Sequence, residues 1–247
     1  TALVALSHVG FTTGACLPDS FLQSVAERAR RHDALFLLDG YHAAATRPID
    51  VTQLGCDLYV GGLLKEASGS AGNTFLYLRD GLELAPRLTG WFGNAAPFEF
   101  RTEPSPHPDV RRRFLGGTTP VAPMYHAVEG VRLLLDLGLE AVRDHSLALT
   151  DRAIERADAL DIPLRSPRAP SERSAMVLLE VPEAERLAAH LKQQHVYTDS
   201  RRNEVLRMAP FVWNTREEVD HAFNLIGDAL DTGAYRSRSV DAAGPVT

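Results

Sequence analysis

Lysine is nearly absent from this 247-residue chain: Lys65 and Lys192 are the only two, so 24 of the 26 basic residues are arginine. Cysteine is equally scarce. Cys16 and Cys56 are too few and too far apart for a disulfide scaffold or a zinc site, so no metal is expected and a reducing, cytoplasmic setting is the default. No apolar run reaches about 18 residues, which excludes a readable membrane-spanning helix. The opening Thr1-Ala2-Leu3-Val4-Ala5-Leu6 has no basic region ahead of it and reads as a strand rather than a signal peptide. Positive charge is not in excess either: a formal net charge of −6 argues against nucleic acid or an anionic membrane as main partner. Neither H-E-x-x-H nor G-x-S-x-G occurs, and no Walker loop or G-x-G-x-x-G follows a strand, which removes the commonest metal-hydrolase, serine-hydrolase and nucleotide-binding readings. No internal repeat is visible. What is present, 45% apolar and 23% charged residues, is ordinary for a globular protein long enough for one large domain or two modest ones.

In a chain that uses arginine almost everywhere, a lysine at a strand end needs a reason. Lys192 lies on a polar helix face and reads as surface charge. Lys65 closes the run Leu58-Tyr59-Val60-Gly61-Gly62-Leu63-Leu64 and precedes the small-residue segment Ala67 to Gly72. An earlier run, Leu35-Phe36-Leu37-Leu38, ends in Asp39-Gly40-Tyr41-His42 in the same manner. Such runs suit strands buried on both faces in a parallel sheet covered by helices. Ligands of open α/β sheets gather at the carboxyl ends of the strands, where Asp39 and Lys65 would then project together. An acid and an amine in that position are the two groups that a pyridoxal phosphate (PLP) enzyme needs: the amine for the Schiff base, the acid to keep the pyridine nitrogen protonated.

Taken in order, residues 2–8 read as a strand. Residues from Pro18-Asp19 to about His32 read as a helix with Phe21, Leu22, Val25, Ala26 and Ala29 on one face. Residues 34–38 give the next strand, and this β-α-β order implies parallel pairing. Residues 57–60 form a third strand and 73–78 a fourth, antiparallel or near a sheet edge because a short loop joins it to its predecessor. Prolines break the stretch 80–120 into irregular structure. Helices follow over 121–137 and 139–160. After the junction Ser166-Pro167-Arg168-Ala169-Pro170, strands at 175–181, 196–200 and 204–208 alternate with helices at 183–194 and 215–230. Thr215-Arg216-Glu217-Glu218 has the capping-box form. The expected class is α/β, a mainly parallel sheet flanked by helices (residues 1–145) with a small C-terminal α+β domain (146–231) and a disordered tail (232–247).

Ser7-His8-Val9 with Thr13-Gly14, Asp39-Gly40-Tyr41-His42, Val60-Gly61 with Lys65, Gly90-Trp91-Phe92-Gly93 and Leu206-Arg207-Met208-Ala209-Pro210 occur in this order. Together they resemble the class V aminotransferase superfamily of PLP fold type I, its kynureninase branch above all, over residues 2 to 230. The resemblance implies PLP as cofactor, Lys65 as the lysine that carries it, Asp39 at the pyridine nitrogen and His42 beside the ring. It further implies an indole N–H from Trp91 to the phosphate, Thr118 near the substrate and Arg207 on the substrate α-carboxylate. A planar guanidinium matches a carboxylate through two parallel hydrogen bonds. Each residue also has a plainer use: Asp39 as a cap or turn residue, His42 as a loop histidine, Trp91 in packing, Arg207 in an internal salt bridge.

The reaction so implied is hydrolysis of the β,γ carbon–carbon bond of a 3-acylalanine to alanine and an aromatic acid. Transamination or β-elimination on another amino acid, or a non-catalytic domain that needs a partner, are the alternatives. The sequence departs from kynureninases at Leu64, where tyrosine is usual, at Glu66, where an aromatic is usual, and at Gly10-Phe11, where asparagine and tyrosine are common. Family members also carry a longer N-terminal part with further strands and a phosphate-gripping helix. The partners expected are therefore a small amino-acid substrate and a second copy in a homodimer, or a second chain supplying those strands.

Overall fold

The computed structural model describes residues 1–103 and 105–237. These group into two compact units: residues 1–6, 19–41 and 50–133 form one, and 7–18, 42–49 and 134 onward form the other. The division differs from a single cut after residue 145. Loop residues Val9, Cys16 and Ala43 are buried in one cluster with Met176, Leu178 and Val205, so apolar packing draws the segments after the first two strands into the second unit.

In the first unit, β1 (Leu3–Ser7), β2 (Leu35–Asp39), β3 (Leu58–Gly62) and β4 (Thr74–Leu78) lie in the order β1-β2-β3-β4. The sheet is mixed and mostly parallel, as expected for an α/β protein. β2 runs parallel to β3 with Asp39 opposite Val60, and β4 returns antiparallel. Helix α1 (Asp19–Arg31) buries Leu22, Ala26 and Ala29, and sets Arg28, Arg30 and Arg31 in its last turn, where cations suit the helix dipole. The short α2 (Val51–Leu54) starts on Asp50, whose carboxylate accepts the N–H groups of Thr52 and Gln53. Burial on both faces holds along β3 but not along β1, an outer strand of the sheet whose residues alternate in exposure.

Asp57, just before β3, fastens this sheet. One carboxylate oxygen accepts the buried Phe36 N–H of β2 at 2.9 Å, and the other accepts Arg79 Nε, beyond β4, at 2.7 Å. After β4 the helical elements among the described residues are short 3₁₀ turns (Trp91–Gly93, Pro97–Glu99, Arg112–Phe114) until helix α3 (Val121–Leu137), whose Pro123 falls in the first turn, where no helical N–H is lost.

The second unit contains α4 (Leu139–Ala159), β5 (Val177–Glu180), α5 (Ala184–Lys192), β6 (Asp199–Arg201), β7 (Val205–Met208) and α6 (Arg216–Thr232). Its strands are antiparallel in the order β5-β7-β6. Leu149, Ala153, Val177, Leu179, Leu187, Phe223 and Ile226 belong to one buried core. The capping box at Thr215 and Glu218 is formed. Strand β6 begins three residues later than the sequence suggests. Beyond α5, His195 is left-handed at φ 62° and the Val196 N–H bonds back to Leu191 O, so the chain turns before it can pair. The start of the expected disordered tail is ordered as well. Gly233 (φ 66°) reverses the chain, and the buried Tyr235 donates its hydroxyl to Pro182 O at 3.3 Å. Residues 238–247 of that tail lie outside the described residues. Among the described residues no helix is long and apolar enough to cross a membrane.

Candidate functional site

In the first unit, Asp39 is the last residue of β2 and Lys65 stands three residues beyond the end of β3. Because these strands are parallel, acid and amine leave the sheet at the same edge. Two tyrosines shape that edge. A Cβ on Gly62 would fall 1.9 Å from the Tyr41 ring, and one on Gly40 would fall 1.8 Å from the Tyr59 hydroxyl. Glycine thus stands at the end of β3 and just past the end of β2 because an aromatic side chain fills the space.

Tyr41 couples the two charged groups. Its backbone N–H donates to the Asp39 carboxylate at 3.0 Å, an Asx turn. Its ring centroid lies 5.0 Å from Lys65 Nζ, within cation–π range. Lys65 is itself held in a tight turn, in which its carbonyl accepts Ser68 N–H at 2.9 Å and Leu63 O accepts Gly69 N–H at 2.6 Å. Asp39, Tyr41 and Lys65 are all partly buried, shielded by the sheet yet open to a ligand. This donor set could hold a cofactor with a basic ring nitrogen for the acid and an aldehyde for the amine.

Trp91 and Thr118 belong to the same unit but have other surroundings. The Trp91 indole N–H donates to Pro97 O at 2.5 Å, and its ring packs among Phe92, Phe98 and Phe100. Thr118 is exposed in the bend before α3.

The second unit carries His42 and Arg207. Arg207, buried on β7, donates through one terminal nitrogen to Asp199 on β6 and through the other to Phe11 O at 3.3 Å. The internal salt bridge foreseen for Arg207 is therefore present. Its guanidinium also stacks on the Phe11 ring, 4.5 Å from the centroid, and Arg201 stacks there at 4.6 Å. His42 faces the same ring, tilted by 48° at 5.9 Å. Arg201 Nη1 donates to the second Asp199 oxygen at 2.6 Å. Burial, and next the neighbouring Arg207 charge, lower the Arg201 pKa.

The structure thus brings Asp39 and Lys65 to one edge, and His42 and Arg207 to one phenyl ring. Sequence reasoning missed Tyr41 as the link at the first place and Asp199 and Arg201 at the second. A signal existed for the latter pair: Asp199 and Arg201 are two apart in a strand, hence on one face, and Asp199 stands opposite Arg207.

Comparison with known proteins shows the family of the chain. The family described as aminotransferase class-V matches residues 1–220. An uncharacterized aminotransferase, YcbU, of Bacillus subtilis (strain 168) is 31% identical over 228 residues, which is 92% of this chain and 59% of that protein. A kynureninase of Pseudomonas fluorescens is 32% identical over 241 residues, 94% of this chain and 56% of that protein. Among solved structures, the apo cysteine desulfurase from Thermococcus onnurineus NA1 superposes with a TM-score of 0.82 at 21% identity, over 93% of this chain and 60% of that one. At that identity the likeness is one of fold. The chain spans about three-fifths of the length of these relatives.

Proposed function

The chain belongs to the class-V aminotransferase family, and on that footing we propose that it forms the lysine-bearing part of a PLP-dependent enzyme that hydrolyses the β,γ carbon–carbon bond of a 3-acylalanine such as kynurenine. The observation that carries the proposal is the emergence of Asp39 and Lys65 from adjacent parallel strand ends, with the Tyr41 backbone N–H bonded to the acid and the Tyr41 ring beneath the amine. Identity of 32% to a kynureninase over nearly the whole chain supports the choice of reaction.

The residues fit PLP by their chemistry. Lys65 Nζ is the nucleophile that would hold the cofactor's aldehyde carbon and afterwards carry protons to and from the substrate. Asp39 would keep the ring nitrogen protonated, since a carboxylate beside a protonated pyridine is a stabilised pair. When bound, PLP supplies the electron sink that loosens bonds at the carbons next to the amino group. His42 would lie beside the ring and Trp91 and Thr118 toward phosphate and substrate, while Arg207 would take the α-carboxylate in the fork geometry that only a guanidinium offers. A cytoplasmic homodimer, or a pairing with a chain that contributes further N-terminal strands, is proposed as the working assembly.

A second reading, transamination, has its own support in the equally similar aminotransferase relative and in Leu64, an aliphatic next to the lysine that can neither hydrogen-bond nor move a proton. Cysteine desulfuration has less. Both cysteines are buried, and burial pushes the Cys56 thiol up to about 11, far from a reactive thiolate.

The test is direct. PLP added to the purified chain is expected to give a visible absorbance band that Lys65→Ala abolishes. Product analysis with kynurenine, cysteine and an amino acid/keto acid pair then separates the reactions. Equal absorbance in wild type and Lys65→Ala would defeat the proposal.

A further inference from the structure

The second unit holds two arginines around one ring, of which the reading above uses one. Arg201 and Arg207 share Asp199: Arg201 Nη1 donates to one carboxylate oxygen at 2.6 Å and Arg207 Nη2 donates to the other. Both guanidiniums stack on Phe11, at 4.6 and 4.5 Å from its centroid. Strand register explains the arrangement. Asp199 faces Arg207 across the β6–β7 pair, and Arg201, two residues along, projects on the same side.

Two positive charges and one negative charge leave this cluster one carboxylate short of neutrality. The shortage is local to Arg201. Its Nε–H is buried and meets no acceptor among the described residues, while its Nη1 is satisfied by Asp199 and by Ser200 O at 2.9 Å. Buried donors in folded proteins nearly always have a partner, so a missing one asks for an explanation. Were Asp199 present only to orient Arg207, Arg201 would add a desolvated charge with no use. That cost is visible in the lowering of its pKa, by burial first and by the Arg207 charge next.

We infer that Arg201 is a second carboxylate-binding guanidinium at the Arg207 site, so that the acid group of an amino-acid ligand is held by two arginines, with Asp199 positioning both and Phe11 keeping them planar and apart. The inference rests on the proposed function for the identity of the ligand and deepens it by adding a residue that decides specificity. A bound carboxylate restores charge balance and gives the orphan Nε–H its acceptor. Ligands lacking the acid, such as amino-acid amides, are then rejected twice over, because each guanidinium loses a charged partner. Lysine at position 201 keeps the charge but loses the fork and the stacking surface.

The experiment observes the arginine Nε–H signals of the ¹⁵N-labelled chain by NMR, assigned through Arg201→Lys and Arg207→Lys. L-Kynurenine and its carboxamide serve as probes. Kynurenine is expected to move the Arg201 and Arg207 signals together along one saturation curve, and the carboxamide to move neither. Arg201→Met is expected to weaken kynurenine binding, read at Arg207, by about ten- to a hundred-fold, the worth of a hydrogen bond to a charged group. Arg201→Lys should recover part of that loss. Movement of the Arg207 signal alone overturns the inference, as does movement of neither. Equal response to acid and amide overturns it too. Cofactor binding is read separately from visible absorbance of the same sample. A chain that takes no PLP but moves both signals keeps this inference and loses the earlier reading.

Discussion

Removing the Asp57 carboxylate should loosen the sheet that presents Asp39 and Lys65. In Asp57→Ala the buried Phe36 N–H of β2 loses its acceptor, and Arg79 loses its partner. The two losses differ in weight. Phe36 is fully buried, so its amide goes from a charge-assisted bond to none, a cost of about 1.5–3 kcal/mol. The Arg79 side chain is 43% exposed and returns to water, so its ion pair contributes about 0–1 kcal/mol. The total, about 1.5–4 kcal/mol, is a large share of the roughly 5–15 kcal/mol that holds a typical domain together. Two assays read it. Hydrogen exchange at the Phe36 amide should speed up by about ten- to a hundred-fold, since about 1.4 kcal/mol corresponds to each factor of ten. The urea midpoint should fall without a change in slope. Arg79→Met serves as control, with a cost of at most about 1 kcal/mol. Unchanged Phe36 exchange in Asp57→Ala, or an equal loss in Arg79→Met, would refute the assignment of the stabilisation to the buried amide.

Gly62→Ala places a methyl 1.9 Å from the Tyr41 ring and should displace it, costing about 1–3 kcal/mol of stability and weakening PLP uptake, measured by melting temperature and absorbance; unchanged uptake would separate Tyr41 from the site. At the start of α6, Thr215→Ala should cost about 1 kcal/mol in chemical denaturation through loss of the cap. The same cap predicts a pH dependence. The Thr215 backbone N–H and then the Asn214 side chain hold the Glu218 carboxyl below its ordinary value of 4.5, so its contribution is present above that value and disappears as pH falls through the lower folded value. Glu218→Gln should therefore flatten the acid limb of the stability curve, and an unaltered limb would count against the cap.

Local chemistry fixed much of this protein before any fold was known. The capping box at Thr215, the proline-broken stretch from Asp80 to Pro120, the helix over 121–137 and the strand ends at Asp39 and near Lys65 depend on neighbours within a few residues, and such preferences are written in adjacent side chains. The near-exclusive use of arginine singled out Lys65 for the same reason: composition needs no geometry. Tertiary packing decided the rest. Tyr41 and Gly62 are 21 positions apart, yet the ring of one dictates the absence of a side chain at the other. Phe11 meets Arg207 across 196 positions of chain. The loops after β1 and β2 join the second unit because their apolar residues find partners near Leu178. Contacts of that kind arise only when distant segments bury surface together, so no window of sequence contains them.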